Sequence, residues 1–162
     1  MSDLILASSS ETRASLLRNA GLLIEAVPAR VDEDAIKNSL VAEGAKPRDV
    51  ADALAEAKAR KIASKGVQGL VLGCDQVLDF EGRLISKTDG IDDAVSLLKD
   101  MRGKRHSLFS AAVIYEGDKP VWRHVGQVRL MMRDATDAYL EEYAIRNWDS
   151  IRHSVGGYKL EE

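Results

Sequence analysis

Apolar positions along this chain switch between two periods, and the switches divide it into alternating extended and helical segments. Leu4-Ile5-Leu6-Ala7 is a continuous apolar run that reads as a strand, and it meets Ser8-Ser9-Ser10 before Leu16 and Leu17 open a helix. Leu22 to Val27 reads as a short extended segment closed by Pro28, and the acidic run Val31-Asp32-Glu33-Asp34 reads as a solvated loop. Between Pro47 and Lys65, Val50, Leu54 and Ala57 follow a helical period that Gly66 and Gly69 end. Leu70 to Leu72 forms a short buried strand that stops at Gly73-Cys74-Asp75-Gln76. Val77 to Phe80 resumes towards a turn at Glu81-Gly82, and Leu84 to Lys87 returns as a hairpin partner. A second clear helix begins near Asp89 to Asp93, carries Ile91, Ala94, Val95, Leu98 and Met101 on one face, and breaks at Gly103. His106 to Tyr115 and Val121 to Met132 read as strands joined at Glu116-Gly117-Asp118, and a last helix runs from about Thr136 to Arg146. This alternation gives an α/β class, with hairpins making the sheet mixed rather than purely parallel.

Composition narrows the partners. At 162 residues the chain fits one domain, or a domain with a lobe. With 23 basic and 26 acidic residues, and only two Phe, two Trp and four Tyr, it lacks the clustered charge and stacking aromatics of a dedicated nucleic-acid surface. Lys104-Arg105-His106 and Trp122-Arg123 are the segments an RNA-binding reading would use, and a net charge of −3 opposes it. Cys74 is the single cysteine, so no internal disulfide forms. With no leader pattern and no run near the roughly 18 apolar residues of a membrane helix, a cytoplasmic protein without membrane contact is expected.

Candidate chemistry sits where the periods change. The strand, serine loop and helix start at 4–13 are able to cradle a phosphate or carboxylate with backbone N–H groups, hydroxyls and the Arg13 guanidinium. The alternative is that Ser9 or Ser10 simply caps the helix. Asp75 follows a glycine at the expected C-terminal end of an apolar strand, where α/β folds place ligands, and a carboxylate there binds a metal or accepts a proton from water. A turn aspartate capping the next segment is the competing reading. Lys58 on a helix and Lys87 after a strand are compact charges suited to phosphate oxygens, against the default of solvated lysines. Glu33 offers a hard oxygen ligand to Mg²⁺ or Mn²⁺. His106, His124 and His153 lack zinc-ligand spacing, and Cys74 reads as a small buried residue rather than a nucleophile.

The order of these pieces is more specific than any one of them. Leu-Ala-Ser-Ser-Ser-x-x-Arg at 6–13, Val-Asp-Glu at 31–33, Ala-x-x-Lys-Ala at 55–59, Gly-x-Asp-Gln at 73–76, Ser-Lys at 86–87, Gly103-x-x-His106-x-x-x-Ser110 and Gly156-Gly157-Tyr158 together resemble the Maf family, nucleoside triphosphate pyrophosphatases also linked to arrest of septum formation. The resemblance covers nearly the whole chain. It implies one Maf-like domain over 1–162, with an ITPase-like mixed twisted sheet flanked by helices and a cleft between two lobes. It also implies hydrolysis of a nucleoside triphosphate between the α and β phosphates, with a divalent cation, Mg²⁺ or Mn²⁺, as cofactor.

Carried over by position, Asp75 corresponds to the catalytic carboxylate, Lys58 and Lys87 to catalytic lysines, Ser8 and Arg13 to phosphate-binding residues, and Glu33 to an acid near the metal. Thr12, Gln76 and Glu161 occupy the positions tied to base choice. Gln76 and Glu161 resemble the subgroup acting on 7-methyl-GTP rather than the dTTP and UTP subgroup, and Thr12 departs from both. Threonine after Lys87, where the family often has proline, and Ser110, where it often has threonine, are mild departures. Family members usually continue past Glu162 with a further strand and helix, so an uncovered sheet edge and a homodimer are expected. The competing function is a regulator that binds a nucleotide or a division partner with little turnover.

Overall fold

The computed structural model describes residues 1–162. Eleven elements follow in the order β1 (Leu4–Leu6), α1 (Glu11–Asn19), β2 (Ile24–Ala26), α2 (Glu33–Ala42), α3 (Pro47–Ala63), β3 (Leu70–Phe80), β4 (Arg83–Ile85), α4 (Ile91–Met101), β5 (Arg105–Glu116), β6 (Lys119–Met131) and α5 (Asp137–Ile151). The six strands form one sheet in the order β2-β1-β3-β5-β6, with β4 beside β3. β1 pairs parallel with both β2 and β3, placing Ile5 opposite Val71 and Leu6 opposite Leu72, whereas β4 runs antiparallel to β3. The sheet is therefore mixed and flanked by helices, as the alternation of periods predicts. Glu81 and Gly82 both take positive φ in the two-residue turn between β3 and β4, the conformation a tight hairpin demands.

Three local expectations change. The acidic segment at 31–34 is the start of a helix: Asp32 caps α2 by accepting from the Ala35 N–H at 3.0 Å, which puts Glu33 in its first turn. No residue of α2 is buried, so it lacks the apolar stripe that would announce it. β3 does not stop at Gly73 but runs on to Phe80, which places Asp75 in mid-strand rather than at a strand end. α5 continues to Ile151, where the buried Ile151 extends its apolar face beyond Arg146. Pro120 lies near the start of β6, a strand at one edge of the sheet, which is where strands tolerate proline.

The chain divides into two compact units, residues 1–75 with 110–126 and residues 76–109 with 127–162. In the first, Leu4, Leu6, Ala14 and Leu72 form a core cluster, and α3 turns Val50, Ala51, Leu54, Ala55, Ala59 and Ile62 inward. Full burial of Val50, Leu54 and Ile62 contributes about 1.5–3 kcal/mol each relative to exposure. In the second, Ala94 and Leu98 of α4 pack with Leu140, Tyr143, Ala144 and Ile151 of α5. A neighbouring cluster gathers Leu78, Phe80 and Met101. No helix is long and apolar enough to cross a membrane.

Candidate active site

α3 and β3 approach closely in the first unit because one position carries no side chain. A Cβ on Gly73 would lie 2.1 Å from the Ala55 carbonyl oxygen and 2.6 Å from the Ala59 nitrogen, contacts that backbone atoms cannot relieve locally. The glycine that suggests a strand end is thus the place where the helix backbone lies on the strand. Lys58 sits between those two contact residues on the inward stripe of α3, and Asp75 follows two residues along β3.

The result is a buried ion cluster. Lys58 Nζ donates to Asp75 Oδ1 at 2.7 Å and to the Cys74 carbonyl at 3.4 Å, and it pairs with Glu33 Oε1 at 2.6 Å. The three acceptors match the three donors of an ammonium group. The Lys58 and Asp75 side chains are each 8% exposed, while Glu33 is 48% exposed. Burial pushes the Asp75 carboxyl above its ordinary range, the Lys58 ammonium pulls it back, and Glu33 adds a smaller upward push. Burial also raises the Cys74 thiol, so it stays protonated near neutral pH and is a poor nucleophile.

A second group adjoins β1. Ser8 is buried, and its Oγ accepts from the Ser10 N–H at 3.1 Å and from the Arg13 guanidinium at 3.4 Å. Ser10 is the N-cap of α1, accepting from the Arg13 N–H at 3.4 Å. Capping is therefore real at Ser10, and Ser8 has the separate task of holding Arg13. The Arg13 charge reaches far enough to lower both Asp75 and Cys74 slightly.

The structure thus brings Glu33, Lys58 and Asp75 into direct contact, and Ser8 into contact with Arg13. Thr12 is exposed on α1. The other candidates belong to the second unit: Gln76 is half-buried on β3, Lys87 is exposed and pairs through its backbone with Val155 in an isolated antiparallel bridge, and Glu161 is exposed near the end of the chain. Sequence reasoning overlooked Gly73 as the seat of α3 and the Cys74 carbonyl as a lysine acceptor. The signal for Lys58 was present, since position 58 follows Val50 and Leu54 at four-residue spacing, beside the parallel row Ala51, Ala55 and Ala59, on the apolar stripe.

No group of three or more His, Cys, Asp or Glu gathers at one point. Glu33 and Asp75 are the two carboxylates of the cluster, and the atom on which they converge is the Lys58 ammonium nitrogen; Mg²⁺ typically takes one or two carboxylates while retaining water and phosphate ligands.

Comparison with known proteins adds the lineage. Residues 3–162 match the family described as Maf-like protein. A nucleoside triphosphate pyrophosphatase of Ruegeria sp. (strain TM1040) is 65% identical over 159 residues, covering 98% of this chain and 80% of that protein. A 7-methyl-GTP pyrophosphatase of Rhizobium meliloti (strain 1021) is 41% identical over 158 residues, 98% of this chain and 79% of its own length. Among solved structures, the Staphylococcus aureus Ham1 protein aligns over 82% of this chain and 72% of its own, with a TM-score of 0.46 and 12% identity.

Proposed function

This chain belongs to the Maf family, and we propose from that premise that it hydrolyses a nucleoside triphosphate to the monophosphate and pyrophosphate. The observation that carries the reading is Asp75: a buried carboxylate raised by desolvation, yet held against a lysine that disfavours its protonation. A group so balanced accepts a proton from water more readily than an exposed aspartate does. In the reaction, Asp75 takes the proton of the attacking water. The water oxygen bonds to the α-phosphorus, the bond from that phosphorus to the bridging oxygen breaks, and pyrophosphate leaves with the electron pair.

Lys58 orients Asp75 throughout this step and keeps its charge available. Ser8 fixes the guanidinium of Arg13, which offers a planar donor fork to phosphate oxygens, and the family resemblance assigns Lys87 as a further compact charge for the phosphates. Concentrating positive charge where the leaving group becomes more negative is the largest stabilising factor such a site has. Glu33 and Asp75 would hold Mg²⁺ or Mn²⁺, which when bound offsets phosphate charge that the basic residues alone leave uncompensated.

For the base, we propose 7-methyl-GTP. Gln76 and Glu161 fit that assignment, and the Rhizobium meliloti relative carries the name 7-methyl-GTP pyrophosphatase. Thr12 would face the base differently from either named subgroup. The test is pyrophosphate release from 7-methyl-GTP, GTP, dTTP and UTP with Mg²⁺ or Mn²⁺. Release fastest from 7-methyl-GTP is expected. Preference for dTTP and UTP overturns the base assignment, and nucleotide binding without pyrophosphate overturns hydrolysis in favour of a regulator.

A further inference from the structure

Two segments of the chain have no part in the chemistry above: His106 and the Gly156-Gly157-Tyr158 turn. They meet in the second unit. His106 Nε2 and the Tyr158 hydroxyl stand 2.5 Å apart, across 52 positions of sequence, and the rings meet edge to face at 5.5 Å and 83°. His106 is buried, and its other nitrogen, Nδ1, has no hydrogen-bond partner. The contact with Tyr158 is therefore the imidazole's whole hydrogen bonding. Burial lowers the histidine below its ordinary value and pushes the phenol up to about 12, so the site favours the neutral form of both partners.

Tyr158 ends a turn that is seated closely. Gly156 and Gly157 take φ of +84° and +68°, which side chains rarely adopt. A Cβ on Gly156 would come to 2.5 Å from Leu78 Cδ1, and one on Gly157 to 3.4 Å from Ala94 Cβ and 3.7 Å from Thr88 Cγ2. Ser154 Oγ closes the turn by donating to the Tyr158 carbonyl at 2.8 Å. Between these residues, Val155 forms the antiparallel bridge to Lys87. One end of the turn is thus fixed by His106, and its middle holds the backbone that presents Lys87.

We propose that His106 and Tyr158 are positioning residues for Lys87: their hydrogen bond seats the turn, and the seated turn sets where the exposed Lys87 side chain stands. This rests on the reading of Lys87 as a lysine that binds the triphosphate. Removing the phenol hydroxyl leaves the imidazole with no partner at all and releases the end of the turn, while the packing of the ring is kept. The consequence falls on Lys87 through Val155, not on the chemistry at Asp75.

The experiment is a double-mutant cycle on pyrophosphate release with Tyr158→Phe, Lys87→Met and the pair, together with His106→Gln and His106→Leu. Tyr158→Phe is expected to raise KM about three- to tenfold with kcat little changed, the scale of one buried neutral hydrogen bond. A merely structural role would instead lower the fraction of active protein, reducing kcat at constant KM. In the Lys87→Met background, Tyr158→Phe is expected to change KM by less than about twofold, because the residue it acts through is gone. His106→Leu should match Tyr158→Phe, and His106→Gln, whose amide still reaches a hydrogen-bond partner, should lie nearer the wild type. Equal KM increases in both backgrounds overturn the positioning role and leave the Lys87 reading intact. Wild-type kinetics in Lys87→Met overturn that reading and the positioning role with it.

Discussion

Two ion clusters in this molecule have nearly the same contact distances and opposite electrostatics. In the first unit Lys58 lies 2.6 Å from Glu33 and 2.7 Å from Asp75. In the second, Lys99 lies 2.9 Å from Glu141, and Arg102 pairs with Asp137 where α4 meets α5. Lys99 is shifted up by its hydrogen bond to Glu141, and Asp137 down by its hydrogen bond to Arg102, so each surface group is pushed towards its charged form. Asp75 moves the other way, because burial outweighs the lysine beside it. Distance does not separate a buried carboxylate–lysine pair from a surface ion pair; the water removed from around it does.

Substitutions in the two clusters should diverge accordingly. Lys58→Met leaves a buried carboxylate without its counter-charge, and chemical denaturation is expected to show a loss of about 3–5 kcal/mol. A loss as small as that of a surface pair would mean water reaches Asp75 freely. Gly73→Ala comes next. The added Cβ forces α3 off β3, with an expected cost of about 1–3 kcal/mol and a fall in turnover as Lys58 withdraws from Asp75. Wild-type stability in that variant would show that the helix is not seated by the glycine.

A smaller effect should appear on acidification. The folded state holds His106 below its ordinary value, so below about 6.5 the unfolded chain binds more protons than the folded one. Its contribution to stability is complete above that value and is lost as pH falls through the lower folded value. The stability advantage of wild type over His106→Gln should therefore narrow between pH 7.5 and pH 5, as urea midpoints would reveal; a constant gap would contradict this. Least affected should be Lys99→Ala, with unchanged pyrophosphate release and a melting temperature indistinguishable from wild type at high salt, where exposed pairs are screened. A large drop would erase the contrast between the clusters.

Much of this arrangement was legible in the sequence, for identifiable reasons. Strands and helices with strong periods, such as β1, α3 and α4, fall where the pattern puts them, and the Glu81-Gly82 turn follows from its residues. α2 was missed because no face of it is buried, and its only announcement is the Asp32 cap. The sequence pattern breaks β3 at Gly73 because glycine ordinarily weakens a strand, whereas there the missing side chain makes room for a helix. Asp75 and Lys58 were each ambiguous alone. Their contact depends on a helix-to-strand approach that no local window encodes. Likewise, nothing near His106 indicates that its partner is Tyr158.

The most direct test of the account is pyrophosphate release by wild type and Asp75→Asn under identical nucleotide and metal conditions, with nucleotide affinity measured alongside. The isosteric amide keeps an acceptor for Lys58 but is a far weaker base. Turnover is expected to fall by about 10²–10⁴ with nucleotide binding largely retained, the range for a lost general base. Release at the wild-type rate from Asp75→Asn would contradict the assignment of Asp75 as the group that activates water.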